Sequence, residues 1–203
     1  MYKEKIRDFV LDNRNIIFFA VFNTFLLWQL SYFIFILWDE KIFFDSNSYI
    51  LMAKGNFNVI EHHGYRIGIP IIASVISNFL SAFKIEEMAS YLISNELNIR
   101  LSFYIINLSI SFLIFYFLYE SLKSMRFGSD IVLLTIASFQ LNSIYLFHIA
   151  IPNVDIAVIL FTSMGFYLYC KKNNFKSFFI SNFIIVIIGS LFKEYIFLSN
   201  LPI

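Results

Sequence analysis

The stretch IIFFAVFNTFLLWQLSYFIFILW, residues 16–38, decides the class of the fold. Its 23 residues include no charged side chain. At about 1.5 Å per helical residue, a helix of this length crosses a bilayer core of about 30 Å. Lys3, Lys5, Arg7 and Arg14 precede it, but it is too long for a signal-peptide core and no small-residue cleavage motif follows. The stretch therefore predicts a retained transmembrane helix whose basic N-terminal side is cytoplasmic.

The remainder of the chain is similarly apolar. Hydrophobic residues make up 59% of the sequence and charged residues 14%, with a mean hydropathy of +0.74. This composition excludes an ordinary soluble domain and predicts an all-α fold, a polytopic transmembrane helix bundle of about five to six spans in a single membrane domain. Cys170 is the one cysteine, which excludes a disulfide within the chain and a cysteine metal site. The further predicted spans are residues 99–119, 131–151, 154–170 and 177–192.

The segment 39–98, between the first two predicted spans, is predicted to be an external loop that carries membrane-surface helices. Asp45 is a candidate cap for a short helix over residues 46–54, which Gly55 would end. Ionisable groups placed beside a bilayer are functional candidates by default, so this loop is the expected active loop. Its ionisable residues include Asp45, Glu61, His62, His63 and Arg66.

Residues 67–83 decide the topology, because a helix of this length could either cross the membrane or lie in its surface. Polar residues spaced i, i+3, i+4 and i+7 fall on one helix face, which favours a surface helix. That arrangement leaves nine of the 15 basic residues in the cytoplasm, whereas a spanning helix would leave seven. The positive-inside bias therefore favours an extracytoplasmic loop on a multi-pass protein of the plasma or bacterial inner membrane. The polar residues are Ser74, Ser77, Asn78 and Ser81.

Two carboxylates are the candidate catalytic residues. Asp45 is placed to accept a proton from an incoming hydroxyl, or simply to cap a helix. Asp155, in the sequence IPNVD, is expected to open a helix, where the helix dipole favours an acid. On one face of the membrane the pair could divide the work, one as base and one holding a sugar hydroxyl or a divalent cation, Mg²⁺ or Mn²⁺.

Several basic residues are candidate ligands for a phosphate or a polar substrate. Arg66 can grip a phosphate through two parallel hydrogen bonds, or can extend to lipid head groups. His62 and His63 are adjacent, so their side chains diverge and a shared metal site is disfavoured, although His63 could contact a polar substrate. Lys193 and Glu194 lie at the end of a predicted span. They either neutralise one another or are functional residues at the membrane edge.

Motifs for other functions are missing from the sequence. It has no phosphate-cradling glycine loop, no HExxH zinc helix and no nucleophile elbow. No basic patch predicts nucleic acid as a partner. The lipid bilayer is the partner that the composition predicts.

The order of these parts resembles the N-terminal half of the GT-C superfamily of polytopic glycosyltransferases, including bacterial relatives of the aminoarabinose and protein-mannosyl transferases. The resemblance implies a donor sugar linked to polyprenyl phosphate and a glycan or lipid acceptor outside the cytoplasm. It also implies that the chain is part of a longer module. The features that carry it are Asp45 followed by Tyr49, the sequence YRIGIP, an apolar surface helix, Arg100 opening a span, Asp155 opening another, and Lys193 with Glu194 closing a later one.

In this resemblance each matching residue receives a role. Asp45 would be the activating carboxylate and Asp155 a second acid facing the site. Arg66 and Lys193 would lie near the lipid-linked phosphate. The remaining expected substrate contacts are Tyr49, His63, Arg100 and Glu194. The alternatives are a transporter or flippase component for cell-surface polysaccharide, and a structural or assembly subunit.

Overall fold

A computed structural model describes residues 14–37, 44–59, 66–83, 96–171 and 175–193. Within these ranges the chain forms helices joined by turns and short irregular segments, without a strand. The predicted all-α class is therefore confirmed for the described residues. The helices are α1 (Arg14–Leu37), α2 (Phe44–Ala53), α3 (Gly68–Ser81), α4 (Leu97–Ser124), α5 (Ser129–Gln140), α6 (Ser143–Ala150), α7 (Asp155–Lys171) and α8 (Phe175–Ser190).

Two of the described helices are long and apolar enough to cross a membrane. They comprise Ile16–Ile36 within α1 and Leu97–Ser124, and the bent pair α5 and α6 makes a third if it counts as one span. Phe33 on α1 exposes 71% of its surface, as expected where lipid replaces water around an apolar helix. α7, with 17 residues, reaches only about 25 Å. A membrane protein is supported, whereas the total of five to six spans stays a prediction.

Helix α4 forms the centre of the bundle. Near the start of α4, Tyr104 stacks on Phe35 from the end of α1, with ring centroids 4.7 Å apart. At the other end of α4, Tyr119 belongs to a buried cluster with Ala20 from the first half of α1. α1 and α4 therefore run antiparallel.

Helix α7 runs parallel to α4. Lys171, the last residue of α7, donates a hydrogen bond to Glu120 in the last turns of α4, at 2.8 Å. The starts of α4 and α7 and the end of α1 consequently lie at one end of the bundle. We call this end the site end, and the end that holds Glu120 and Lys171 the opposite end.

The predicted span 131–151 is not one continuous helix. α5 and α6 meet at a 62° bend. Gln140 ends α5 and donates to the Ser111 carbonyl and the Tyr145 hydroxyl, both at 3.0 Å, while Asn142 caps α6 by accepting from the Ile144 N–H. Asn142 thus satisfies a backbone N–H that the start of α6 leaves open, and Gln140 links the end of α5 to α4 and α6.

Asn107 of α4 stabilises the other end of α6. Its amide nitrogen lies 3.1–3.2 Å from the carbonyl oxygens of His148, Ile149 and Ile151. The last carbonyls of a helix have no partner within the helix, and Asn107 supplies a donor at this end of α6. Asn107 is itself fully buried, so α6 ends against a fixed donor.

Helix α2 confirms the predicted end of its segment and corrects its beginning. Gly55, with φ +83°, follows the helix in the left-handed region that favours glycine. Asp45 lies in the first turn of α2, one residue inside the helix, instead of at the cap. The expected cap role is therefore wrong for this residue, whose carboxylate still lies where the helix dipole favours an acid.

Helix α3 is amphipathic as predicted, and part of its polar row faces the protein. Ser77 is buried with Ala73, and Ser81 accepts a hydrogen bond from Asn98 of α4 at 3.1 Å, whereas Asn78 is exposed. Val75 and Phe79 expose 65% and 64% of their surfaces. The outward face of α3 is therefore mostly apolar. Glu61, His62 and residues 84–95 of the predicted external loop 39–98 lie outside the described residues.

Candidate functional site

The clearest charged contact at the site end joins Asp155 and Lys193. Asp155 is the first residue of α7, and Lys193 follows the end of α8. The lysine ammonium donates a hydrogen bond to Asp155 Oδ1. The side chain of Lys193 is 15% exposed and that of Asp155 is 40% exposed, so the carboxylate forms the accessible side of the pair.

A second pair of residues fixes the surroundings of Asp155. Asn153 Oδ1 accepts the backbone N–H of Asp155 at 2.7 Å, so the amide Nδ2 must face the other way, toward His148 Nδ1 at 2.5 Å. Since Nδ2 can only donate, Nδ1 accepts, and a neutral His148 carries its proton on Nε2. His148 Nδ1 also lies 3.9 Å from Asp155 Oδ2.

Neither His148 nor Asn153 was among the predicted site residues. Both carried a sequence signal. A histidine inside the apolar run 131–151 is the kind of intramembrane ionisable residue that marks function by default. The spacing Asn153, Val154, Asp155 is typical of an asparagine turn that starts a helix.

Arg66 and Tyr49 form a buried pair in the loop region. The guanidinium Nη1 donates to the Tyr49 hydroxyl at 2.9 Å. Arg66 is 6% exposed and Tyr49 2% exposed, so the two predicted substrate contacts are brought together inside the protein. Burying a cation costs free energy unless polar groups surround it, so buried Arg66 needs the polar partners that this region supplies.

A backbone contact brings the Arg66 segment beside the Lys193 segment. The Gly68 N–H donates to the Leu191 carbonyl at 3.0 Å. A Cβ atom at Gly68 would lie 2.8 Å from the Phe192 ring, so only glycine allows this close approach. Arg66 precedes Gly68 by two residues, and Lys193 follows Leu191 by two residues. The site therefore has two cations on adjoining segments of the chain.

Arg100 is tied to the end of α1. Its Nη2 donates to the Phe35 carbonyl at 2.6 Å, and its guanidinium carbon lies 5.3 Å from the centre of the Phe35 ring. Arg100 is 2% exposed. These contacts give it a structural role at the site end, where it satisfies a carbonyl that the end of α1 leaves open.

The remaining predicted residues have different outcomes. Asp45 is exposed at the start of α2, one turn before the buried Tyr49. His63 and Glu194 lie outside the described residues.

The described residues offer no protein ligand set for Mg²⁺ or Mn²⁺. No three His, Cys, Asp or Glu side chains of the described ranges converge on one point. Asp155, the predicted acid that a cation would use, already binds the Lys193 ammonium.

Arg66 and Lys193 thus lie on segments that a backbone hydrogen bond joins, and the described residues also include two candidate acids. Asp155 accepts a hydrogen bond from Lys193, and Asp45 is exposed at the start of α2. Comparison of the chain with protein-family models, with curated protein sequences and with solved structures finds no match. The functional argument therefore depends on the residues themselves.

Proposed function

We propose that the chain is a membrane glycosyltransferase, or part of one, of the GT-C type. In this proposal it moves a sugar from a polyprenyl-phosphate donor to a hydroxyl of an extracytoplasmic glycan or lipid. The observation that supports the proposal is the contact between Gly68 and Leu191, because it joins the segment that contains buried Arg66 to the segment that contains Lys193. Two cations on adjoining segments suit a phosphate leaving group.

The chemistry assigns a separate role to each carboxylate. Asp45 is the base that takes the proton from the acceptor hydroxyl as the hydroxyl oxygen attacks the anomeric carbon. The bond from that carbon to the phosphate oxygen breaks, and the phosphate leaves with the electron pair beside Arg66 and Lys193. Asp155 holds the Lys193 ammonium in place, since a carboxylate bonded to a cation is a weaker base.

Supporting evidence for the membrane placement comes from both ends of α3. The Gly68 end of α3 contacts the end of α8, and the Ser81 end contacts the start of α4. Both neighbours belong to the site end, so α3 has the contacts of a helix that stays on one side. With the basic N-terminal segment in the cytoplasm, the site end is extracytoplasmic in the plasma or inner membrane.

The transporter alternative has one observation in its favour. α5 and α6 form a broken helix whose final carbonyls are buried and held by Asn107. Discontinuous helices with capped ends at bilayer depth are typical of transporters. The charged groups of the candidate site lie at one end of the bundle instead of along a path through it, which favours chemistry at a membrane surface.

Transfer of labelled sugar from polyprenyl-phosphate donors, in membranes that contain the chain, tests the proposal. Asp45→Asn should abolish transfer without changing abundance, because an amide cannot take the acceptor proton. Asp130→Asn is the matched control, since Asp130 is also an exposed acid in a first helical turn but lies in α5, which begins at the opposite end. Transfer that survives Asp45→Asn would remove this residue from the mechanism.

A further inference from the structure

An apolar groove lies on α4, between α5 and α7. Its volume is about 440 Å³. Its floor belongs to α4, one of the helices long and apolar enough to cross a membrane. The residues that line it are Leu118, Leu122, Thr135, Ile136, Phe139, Val158, Ile159, Thr162 and Ser163.

The groove offers a hydrocarbon surface even where its residues carry hydroxyls. Each hydroxyl donates to a carbonyl of its own helix, four residues earlier, at 2.7–2.8 Å. A hydroxyl bonded in this way turns its methyl or methylene group outward. The three residues are Thr135, Thr162 and Ser163. The occupant therefore needs no polar group along the length of the groove.

Cations lie where the groove reaches the opposite end of the bundle. Leu122 lines the groove, and Lys123 and Arg126 follow it with exposed side chains. Among the described acids of this end, Glu120 is bonded to Lys171 and Asp130 is exposed. The described charges here therefore sum to a positive value, which complements an anionic head group.

We propose that this groove binds one hydrocarbon chain of an anionic phospholipid, with the lipid phosphate against Lys123 and Arg126. The proposed phosphate position is separate from the proposed transfer site, because Lys123 and Arg126 lie at the opposite end of the bundle. It depends on membrane insertion and not on any transferase activity. A lipid hydrocarbon chain bound there would also fill the space between α5 and α7 above α4 and so restore close packing.

Native mass spectrometry of the detergent-purified chain tests the site with dioleoyl phosphatidylglycerol and dioleoyl phosphatidylcholine as probes. The wild-type chain should retain the anionic phosphatidylglycerol in preference to the phosphatidylcholine. Thr135→Phe should lower its retention by about tenfold, which equals the loss of contact with about two methylene groups. Ser138→Phe is the matched control, because Ser138 is an exposed hydroxyl residue of the same helix outside the groove lining.

Four results would overturn the proposal. The first is equal retention of the anionic lipid by Thr135→Phe and Ser138→Phe. The second is equal retention of the two lipids by the wild-type chain. The third is no loss of the preference for the anionic lipid when Lys123→Gln and Arg126→Gln are combined. The fourth is a dimer that Thr135→Phe dissociates, which would make a second copy the occupant. Thr162→Phe, from the opposite wall, repeats the test if Thr135→Phe alters elution or helicity.

Discussion

Gly68 donates its backbone N–H to the carbonyl oxygen of Leu191 at 3.0 Å, across a separation of more than a hundred residues. The contact joins the loop that follows α2 to the end of α8. It also joins the segment of the buried Arg66–Tyr49 pair to the segment of Lys193, which bonds Asp155. The candidate site therefore depends on a position that carries no chemistry itself.

Gly68→Ala should destabilise the protein. The new methyl would lie 2.8 Å from the ring of Phe192, which packs against Phe161, so the ring or the backbone must shift. Overpacking of this kind costs about 1–3 kcal/mol, and a lower midpoint of thermal unfolding in detergent would show it. Gly128→Ala is the control, because nothing lies within 4 Å of an added Cβ there. Equal midpoints for the two variants would contradict the close packing.

Tyr49→Phe should also destabilise, by removing the hydroxyl that accepts from Arg66. A hydrogen bond to a charged group contributes about 1.5–3 kcal/mol, and this one is buried. Chemical unfolding in mixed micelles measures the loss. Tyr169→Phe serves as the control, since Tyr169 is 70% exposed. If both variants unfold alike, the Arg66 contact does not contribute to stability.

Gln140 and Asn23 should show coupled effects. The Asn23 amide donates to Gln140 Oε1 at 2.5 Å, and Gln140 reaches onward to Tyr145 and Ser111. Gln140→Leu should cost about 0.6–1.7 kcal/mol, the range of hydrogen bonds between membrane helices. Adding Asn23→Leu should cost less than the sum of the single changes, because the partner is already lost. Strict additivity in a double-mutant cycle would rule out the bond, and Gln29→Leu on the exposed face of α1 is the control.

The tautomer of His148 is open to a spectroscopic test. The donor Nδ2 of Asn153 requires the neutral imidazole to carry its proton on Nε2. Asn153→Asp keeps the oxygen that accepts from the Asp155 N–H but replaces the donor with an acceptor, so the proton should move to Nδ1. The ¹⁵N chemical shifts of the two ring nitrogens distinguish the tautomers. An Nδ1–H tautomer in the wild-type chain would refute the assigned contact.

The sequence predicted the local properties of the chain well. The charge-free run 16–38 indicated a membrane helix, and the described part of that run is one continuous helix. The polar spacing in 67–83 indicated an amphipathic helix, and Gly55 marked the end of α2. These features follow from periodicity, helix propensity and backbone sterics, each of which acts over a few residues.

The sequence could not assign partners, because partners depend on which helices pack together. Lys193 was expected to pair with Glu194 or to bind phosphate, and the fold gives it Asp155, 38 residues away. Arg100 was predicted to contact the substrate, and the antiparallel packing of α1 and α4 lets it donate a hydrogen bond to the Phe35 carbonyl.

The sequence by itself determined the helices, their apolar character and the concentration of charge in the loop. Only the tertiary structure decided that α5 and α6 bend at Gln140, that the polar face of α3 turns toward α4, and that Gly68 meets Leu191. The physical reason is the difference in sequence separation between the residues that interact. Helices form through contacts three to four residues apart, whereas buried polar groups find their partners wherever packing places them.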